Sequence, residues 1–251
     1  MSFKSILIFL ALGATACDDS QERPEKVDRF RGIGSVTNPL GATPSQEDQT
    51  SQVEVSVYFV MPTDDEIQSV DPYEDEGSAA VPALGEASIV VDQSSITHED
   101  YGDVRLGSFK ATLTVPPVEE LPSLLELPWA QVRYGFVVKS SVDTETIVGN
   151  FVVALPGSDA LAWTNPTIEI EAPVADESVG LTTTQLQAKV DDVNDEPLKI
   201  GWFVSSGEVT NRRSLATTWK KYKPTAQTIV ATVHGKWSRG FNYKIINVAP
   251  E

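Results

Sequence analysis

The residues best suited to bind a ligand lie in one short acidic run. Asp192, Asn194 and Asp195, followed at once by Glu196 and Pro197, place several side-chain oxygens close together in the chain. Calcium takes about six to eight oxygen ligands, so carboxylates and an amide at this spacing are chemically suitable. The same residue types favour tight turns, because Asp and Asn side chains hydrogen-bond to nearby backbone. Two interpretations therefore stay open: a calcium site at Asp192, Asn194 and Asp195, or a polar turn.

This run also resembles the linker of cadherins, in which Asp and Asn oxygens bind calcium between consecutive domains. The resemblance implies a calcium-dependent adhesive module. However, the 54 residues from 198 to 251 are too few for another complete sandwich, and the run lies between two predicted strands. We therefore expect a turn here, and calcium is the one cofactor that the sequence suggests.

Two histidines are available for acid–base or metal chemistry, His98 and His234. His98 precedes three nearby acids, Glu99, Asp100 and Asp103, which suggest either a weak metal site or a solvated turn. We expect His234 to face solvent at the end of a hairpin. The sequence contains no GxSxG, HExxH, Walker or GxGxxG motif, and its many acids show no spacing that selects a catalytic pair. We therefore predict that the protein is not an enzyme.

Cations and aromatic residues alternate in two segments of the C-terminal third. Arg, Trp and Tyr are enriched where interfaces concentrate binding energy, so these segments suggest a surface for an acidic glycan, a phospholipid headgroup or a partner protein. Alternatively, the aromatic rings face inward and the cations are solvated. The predicted binding patch consists of Arg212, Arg213, Trp219, Lys220, Lys221, Lys236, Trp237 and Arg239.

The N-terminus has the pattern of a secretory signal: one cation, Lys4, an apolar run from Ile6 to Leu12, and small residues before Cys17. The segment Ala14-Thr15-Ala16-Cys17 resembles the lipobox of bacterial lipoproteins, although Ala14 stands where that family more often has Leu. The resemblance implies cleavage before Cys17, a diacylglyceryl thioether on its sulfur and acylation, for instance by palmitate, of the new amino terminus.

Cys17 is the only cysteine, so it has no disulfide partner in an oxidising compartment. We therefore expect a signal peptide at residues 1–16 and an acylated Cys with a polar tether at residues 17–27. The lipid bilayer is then one partner, and the protein faces the periplasm or the outer-membrane surface. Inner- and outer-membrane locations both stay open.

The negative charge is concentrated in the first part of the chain. Residues 18–164 contain 26 acidic and 8 basic residues, whereas residues 165–251 contain 10 of each. Nucleic-acid binding requires cations along the phosphates. We therefore expect no nucleic-acid partner, and an envelope protein or glycan is the expected ligand.

Many short alternating segments separated by Gly- and Pro-rich turns predict an all-β fold. We expect two tandem immunoglobulin-like β-sandwich domains, at residues 28–164 and 165–251, with an acidic loop at residues 63–86 of the first. In the first domain, Val53, Val55, Val57, Phe59 and Met61 alternate onto one face.

The strand order of residues 165–251, together with Trp202, resembles the immunoglobulin-like or PKD-like sandwiches of bacterial surface proteins. The resemblance implies that Trp202 lies on strand C, with Ala188 and Ala231 at the positions of the bridge cysteines on strands B and F. The tyrosine expected near the start of strand F is missing. We therefore predict a membrane-anchored, non-catalytic binding or structural presentation module of the cell envelope. The alternative is a calcium-dependent adhesive or carbohydrate-binding surface module.

Overall fold

The computed structural model describes residues 26–78, 81–191 and 194–250, most of which form β-strands. The strands are β1 (Arg31–Asn38), β2 (Gly41–Ala42), β3 (Gln52–Pro62), β4 (Ile67–Tyr73), β5 (Ile89–Tyr101), β6 (Val104–Thr114), β7 (Trp129–Ser140), β8 (Thr144–Ala154), β9 (Thr167–Ala172), β10 (Ser178–Val179), β11 (Thr183–Asp191), β12 (Leu198–Val204), β13 (Glu208–Val209), β14 (Ala216–Lys220), β15 (Gln227–Gly235) and β16 (Phe241–Pro250). Short 3-10 helices cover Glu86–Ser88, Val118–Glu120, Pro122–Leu125 and Asp159–Ala162. None of the helices in these ranges is long and apolar enough to cross a membrane.

The strands form four sheets of four strands, which pair into two sandwiches. The first sandwich contains the sheets β1-β3-β6-β5 and β2-β8-β7-β4; the second contains β9-β11-β14-β13 and β10-β16-β15-β12. If the strands of each sandwich are lettered A, A′, B, C, D, E, F and G in chain order, both have the sheets A-B-E-D and A′-G-F-C. This is the immunoglobulin arrangement. The predicted all-β fold is confirmed, while the exact boundary at residue 165 stays a prediction.

The alternation of β3 builds the first core. The five side chains predicted to share a face, from Val53 to Met61, are all buried in one cluster. Phe109 and Phe136, from opposite sheets, meet edge to face with ring centroids 5.1 Å apart, a geometry that aromatic quadrupoles favour. The alternation of apolar residues along β3 thus correctly predicted which of its side chains form this core.

Trp202 lies at the centre of the second core and is fully buried. Ala231 is its direct cross-strand neighbour, and Ala188 reaches the same cluster from the facing sheet. The indole Nε1 donates to the Ser214 carbonyl at 2.8 Å. The buried donor is therefore paired, as buried polar groups must be to avoid a desolvation cost.

The acidic segment is not the loop that its composition suggests, because residues 67–73 form strand β4. This strand is at the edge of its sheet and bonds only to β7, and its one fully buried residue is Val70. Its one acidic side chain, Asp71, is exposed, and Pro72 is tolerated because edge strands need fewer ladder hydrogen bonds. The loop prediction for residues 63–86 is therefore wrong across β4.

The two sandwiches pack side by side through a third apolar cluster, which we call the junction. It contains Val27, Ile33, Val60, Val104, Leu106, Val230 and Phe241. The Tyr58 ring lies 5.4 Å from that of Phe241 and 5.2 Å from that of Tyr243. A Cβ on Gly34 would lie 2.3 Å from the Phe241 ring, so glycine permits this approach. The junction thereby fixes the walls of a groove between the sandwiches.

Candidate functional site

A groove of about 550 Å³ opens beside the junction. The first sandwich supplies β1, β7 and β8 to its walls, and the second supplies β12 and the β15–β16 hairpin. An adjoining groove of about 370 Å³ shares Ile33, Lys199 and His234 with it and includes Arg212 and Arg213. The ionisable side chains of the larger groove are Arg133, Glu145, Lys199, His234 and Arg239.

The cations of the groove come from three separate parts of the chain. Arg133 lies on β7 and its Nη1 is 3.0 Å from Asp75 Oδ2; Arg239 lies in the hairpin and its Nη2 donates to Gln131. The Nε of each of these arginines is buried and has no hydrogen-bond partner among the described residues. Burial lowers the pKa of Arg239; the charge of Glu196 opposes this shift, and the charge of Arg133 acts in the same direction as burial. Because Arg stays protonated in proteins, the groove concentrates positive charge.

Glu145 supplies the carboxylate of the larger groove. Its Oε1 accepts from the Gly32 N–H at 3.4 Å. Burial raises the pKa of Glu145, and the charges of Arg31 and Arg29 oppose this rise. Asp75 already pairs with Arg133, so the positive charge that faces Glu145 comes mainly from Lys199 and Arg239, together with Arg212 and Arg213 of the adjoining groove. These cations match an anionic ligand.

His234 lies at the junction, and the prediction that it faces solvent is wrong. Its Nε2 lies 3.1 Å from the Ile33 carbonyl, and its ring centroid lies 4.8 Å from that of Phe241. Because Ile33 supplies a carbonyl oxygen, Nε2 carries the proton and donates. As predicted, His234 and Val233 point to opposite faces of β15, and His234 points away from the core of the second sandwich. The first sandwich, however, covers that outer face.

The predicted cation–aromatic patch is not one surface, and two of its members belong to the interior. Trp219 is fully buried and donates to the Ser206 carbonyl at 2.8 Å. Lys221 is 2% exposed and donates to the Val179 carbonyl at 2.7 Å. Alternation along β14 explains the burial of Trp219, since neighbouring residues of a strand point to opposite faces. The prediction that Trp219 and Lys221 belong to a binding surface is therefore wrong, and both side chains stabilise the fold instead.

The exposed members of the patch divide between opposite ends of the second sandwich. Lys220 lies 5.7 Å from the ring centroid of Tyr222 where β14 ends, whereas Lys236 and Trp237 follow β15 at the far end. Strand β12 separates these ends by roughly 20 Å at ~3.3 Å per residue. Of the predicted patch, Arg212, Arg213 and Arg239 line the grooves. Sequence reasoning missed Arg133, Lys199 and Glu145, because nothing in their spacing reveals that distant strands meet.

The acidic run has the geometry of a turn in its described part. Asn194 donates to the Thr164 carbonyl at 2.7 Å and accepts from the Thr164 N–H at 3.1 Å. Asp195 has a φ of 51°, the left-handed conformation that Asp adopts more readily than most residues. Asp192 lies outside the described residues, as do Cys17 and the predicted signal peptide at residues 1–16.

Glu196 holds this turn against the β15–β16 hairpin. It is 7% exposed, and its carboxylate accepts from the N–H groups of Trp237 and Ser238 and from the Ser238 hydroxyl. We expect Glu196→Ala to lower the free energy of unfolding by about 2–3 kcal/mol, because it leaves buried donors unpaired. Urea denaturation measures this loss. Glu208→Ala, an exposed acid on β13, is the control, and an equal loss there would contradict the assigned role.

We expect no rise in the thermal midpoint when millimolar calcium replaces EDTA, because Asn194 and Glu196 already use side-chain oxygens in hydrogen bonds. A ligand at 100 times its dissociation constant would stabilise the fold by about 2.7 kcal/mol, so scanning calorimetry would detect such a site. A rise that disappears in Asp192→Ala or Asp195→Ala would instead establish the calcium site.

His98 is exposed on β5, a strand rather than the predicted turn. Of the neighbouring acids, Asp100 forms an ion pair with Arg105 at 2.7 Å, and Glu99 accepts from the Tyr101 hydroxyl at 2.8 Å. No group of three His, Cys, Asp or Glu side chains in the described ranges is arranged to hold a metal.

No protein-family model matches this chain, and no curated protein matches it in sequence. Solved structures give weak matches. Fibronectin(III)-like modules of CbhA from Clostridium thermocellum are 11% identical, with 88% of this chain and 94% of that chain covered and a TM-score of 0.31. The titin domains Z1Z2, solved in complex with telethonin, are 8% identical over 90% and 98%, with a TM-score of 0.25. The N-terminal domains of the bacteriophage RB49 outer capsid protein Hoc are 11% identical over 88% and 59%, with a TM-score of 0.28. Similarity at this level assigns neither a family nor a function to the chain.

Proposed function

We propose that the protein is a non-catalytic binding module of the cell envelope, anchored through acylated Cys17, whose groove between the sandwiches captures an anionic partner. The convergence of Arg133, Lys199 and Arg239 on one groove carries this proposal. It is notable in a chain whose net charge is −17, because a random surface of such a chain is acidic. Two strands and a hairpin turn, from two sandwiches, are needed to assemble it.

The neighbouring groups support binding rather than catalysis. His234 donates its Nε2 proton to Ile33 and therefore serves the junction. A general base must reach the proton that it abstracts, and this ring is packed between the sandwiches. The cations lie on strands and on a hairpin fixed by Glu196, so they are preorganised, which lowers the entropic cost of binding.

The anchoring part of the proposal has its own experiment. We expect the intact protein to sediment with membranes and its amino-terminal peptide to carry acyl chains in a mass spectrum. Several chains make anchoring stable, since each buried methylene contributes ~0.8 kcal/mol. Cys17→Ala should move the protein to the soluble fraction. Unmodified Cys17 in the intact protein would contradict this part.

The binding part is tested in cells with a photo-crosslinking amino acid placed at Thr146, on the groove wall. We expect crosslinks to an envelope component, and we expect Lys199→Gln to weaken them by removing a groove cation. The matched control is the same crosslinker with Lys236→Gln, since Lys236 is exposed but lies outside the groove. Equal yields in both variants, or no crosslinked partner, would overturn the groove as the binding site.

A further inference from the structure

Strand β8 has one edge that is largely unpaired. On one side it bonds to β7 from Thr144 to Ala154. On the other side, β2 pairs only with Val152 and Val153. Along residues 144–150, no strand of the described part of the chain pairs with this second edge. Such an edge presents backbone N–H and C=O groups in the two-residue repeat that an incoming strand requires.

One charged residue, Glu145, lies on this edge, where it accepts from the Gly32 N–H of β1. The residues that follow it lack the features that normally prevent strand addition. Residues 146–150 read TIVGN, with no proline and no charge, and Val148 is 43% exposed. Natural edges are usually blocked by charges, prolines, bulges or a covering segment. Apart from the contact of Glu145 with β1, the edge of β8 is therefore free of blocking residues as well as of strand pairing.

Other edges of the molecule carry such protection. Strand β4 has Asp71 and Pro72, and β5 has an irregular register between Asp92 and Thr97. The edge of β12 is covered at two points: Val27 donates to the Val204 carbonyl at 2.9 Å, and Trp202 donates to the Arg212 carbonyl at 3.1 Å. The contrast indicates that the β8 edge is kept accessible.

This open edge and the cations occupy the same groove. Residues 145–150 line it together with Arg133, Lys199 and Arg239, and Arg133 is the direct cross-strand neighbour of Asn150. We propose that the groove binds an extended acidic segment of a partner protein, which adds to β8 as a further strand and places carboxylates against these cations. This inference rests on the proposed function and names the class of partner.

The lining favours a peptide over an acidic glycan. A peptide can satisfy the β8 edge through its own backbone, with alternate side chains directed to the walls, as in other cases of strand addition. Sugar rings, in contrast, are commonly bound on aromatic faces, and the described lining of the larger groove contains no Trp, Tyr or Phe. An acidic peptide matches both features of the groove, because its backbone can pair with the strand edge while its carboxylates contact the cations.

The test uses three probes with the protein cleaved before Cys17: a peptide of alternating Val and Glu, the same peptide with Gln for Glu, and an oligogalacturonate. We expect the acidic peptide to bind, as measured by fluorescence anisotropy, with affinity that falls as salt rises. We also expect it to slow amide hydrogen exchange in residues 144–150. The neutral peptide should bind at least about tenfold more weakly, a difference of the size that lost charge pairing produces.

Arg133→Gln with Lys199→Gln should lower the affinity for the acidic peptide by about tenfold or more, and Lys236→Gln should leave it unchanged. Both groove substitutions lie on exposed or half-exposed side chains, and a thermal scan verifies folding. Val148→Glu is a second variant, which adds a blocking charge to the edge without removing a groove cation, and it should also reduce binding.

Several outcomes would overturn the inference, and they separate it from the proposed function. Binding of the oligogalacturonate without protection of residues 144–150 would make the ligand a glycan and leave the anionic groove in place. Protection of residues 144–150 that rises with protein concentration alone would assign the edge to a second copy. Tight binding of the neutral peptide would show that the groove cations do not contribute to peptide binding. The crosslinking experiment in cells tests the groove as a binding site independently of these peptide measurements.

Discussion

Trp202→Ala is expected to lower the free energy of unfolding by about 3–5 kcal/mol, the usual cost of truncating a buried aromatic residue. The side chain is fully buried and belongs to a core cluster built from both sheets of the second sandwich. Its removal therefore leaves a cavity that Ala188 and Ala231 are too small to fill. The loss of the Nε1 bond to Ser214 adds to the effect. Urea denaturation followed by far-ultraviolet circular dichroism measures the change.

Two controls separate the parts of this effect. Trp202→Phe retains most of the ring volume and should cost less than the alanine variant. Trp237→Ala removes the same kind of side chain from a site that is 40% exposed, and surface substitutions usually change stability by no more than ~0.5 kcal/mol. If the Trp202 and Trp237 alanine variants lost equal stability, the assigned position of Trp202 in the core would be wrong.

Acidification is expected to weaken the fold through His234. Burial lowers the pKa of this imidazole from 6.5 to about 4, and the charges of Lys199 and Arg239 act in the same direction. Between these two values the unfolded chain binds a proton that the folded protein does not, so stability falls as the pH decreases through this window. Above pH 6.5 the group contributes no pH dependence. Linkage gives a loss of roughly 3 kcal/mol at most.

The measurement compares the pH dependence of the urea midpoint in the natural protein and in His234→Gln, whose amide can still donate to Ile33 but does not titrate. We expect the variant to lose less stability between pH 7 and pH 4.5. His98→Gln is the matched control, since His98 is exposed, and it should behave like the natural protein. Carboxylates contribute to the pH dependence of all three proteins. The contribution of His234 is therefore read from the difference between the variant and the natural protein. A profile unchanged in His234→Gln would exclude this residue as the cause.

The alternation of apolar residues predicted most strands, including the inward face of β3 and the position of Trp202. It missed β4 because that strand is at an edge and buries only Val70 fully. The acids at residues 64–66 and 74–76, which flank the strand, dominate the local composition. The alternation also gave no sign that Asp65 is buried, whereas the adjacent Asp64 and Glu66 are exposed. Asp65 is 1% exposed and accepts from the hydroxyls of Ser140 and Ser141 at 2.8 and 2.6 Å, partners that lie far away in the chain.

The sequence by itself determined the all-β class and the turn-forming chemistry around Asn194 and Asp195, because propensity and periodicity are local properties. The lipobox-like segment at Cys17 stays a prediction from a short local motif. Only the tertiary structure decided which outward faces meet water. Packing of one sandwich on the other buries His234 and brings Arg133, Lys199 and Arg239 to one groove. These residues lie in parts of the chain that are distant in sequence. The cooperative burial of apolar surface at the junction, rather than any local pattern, brings them together.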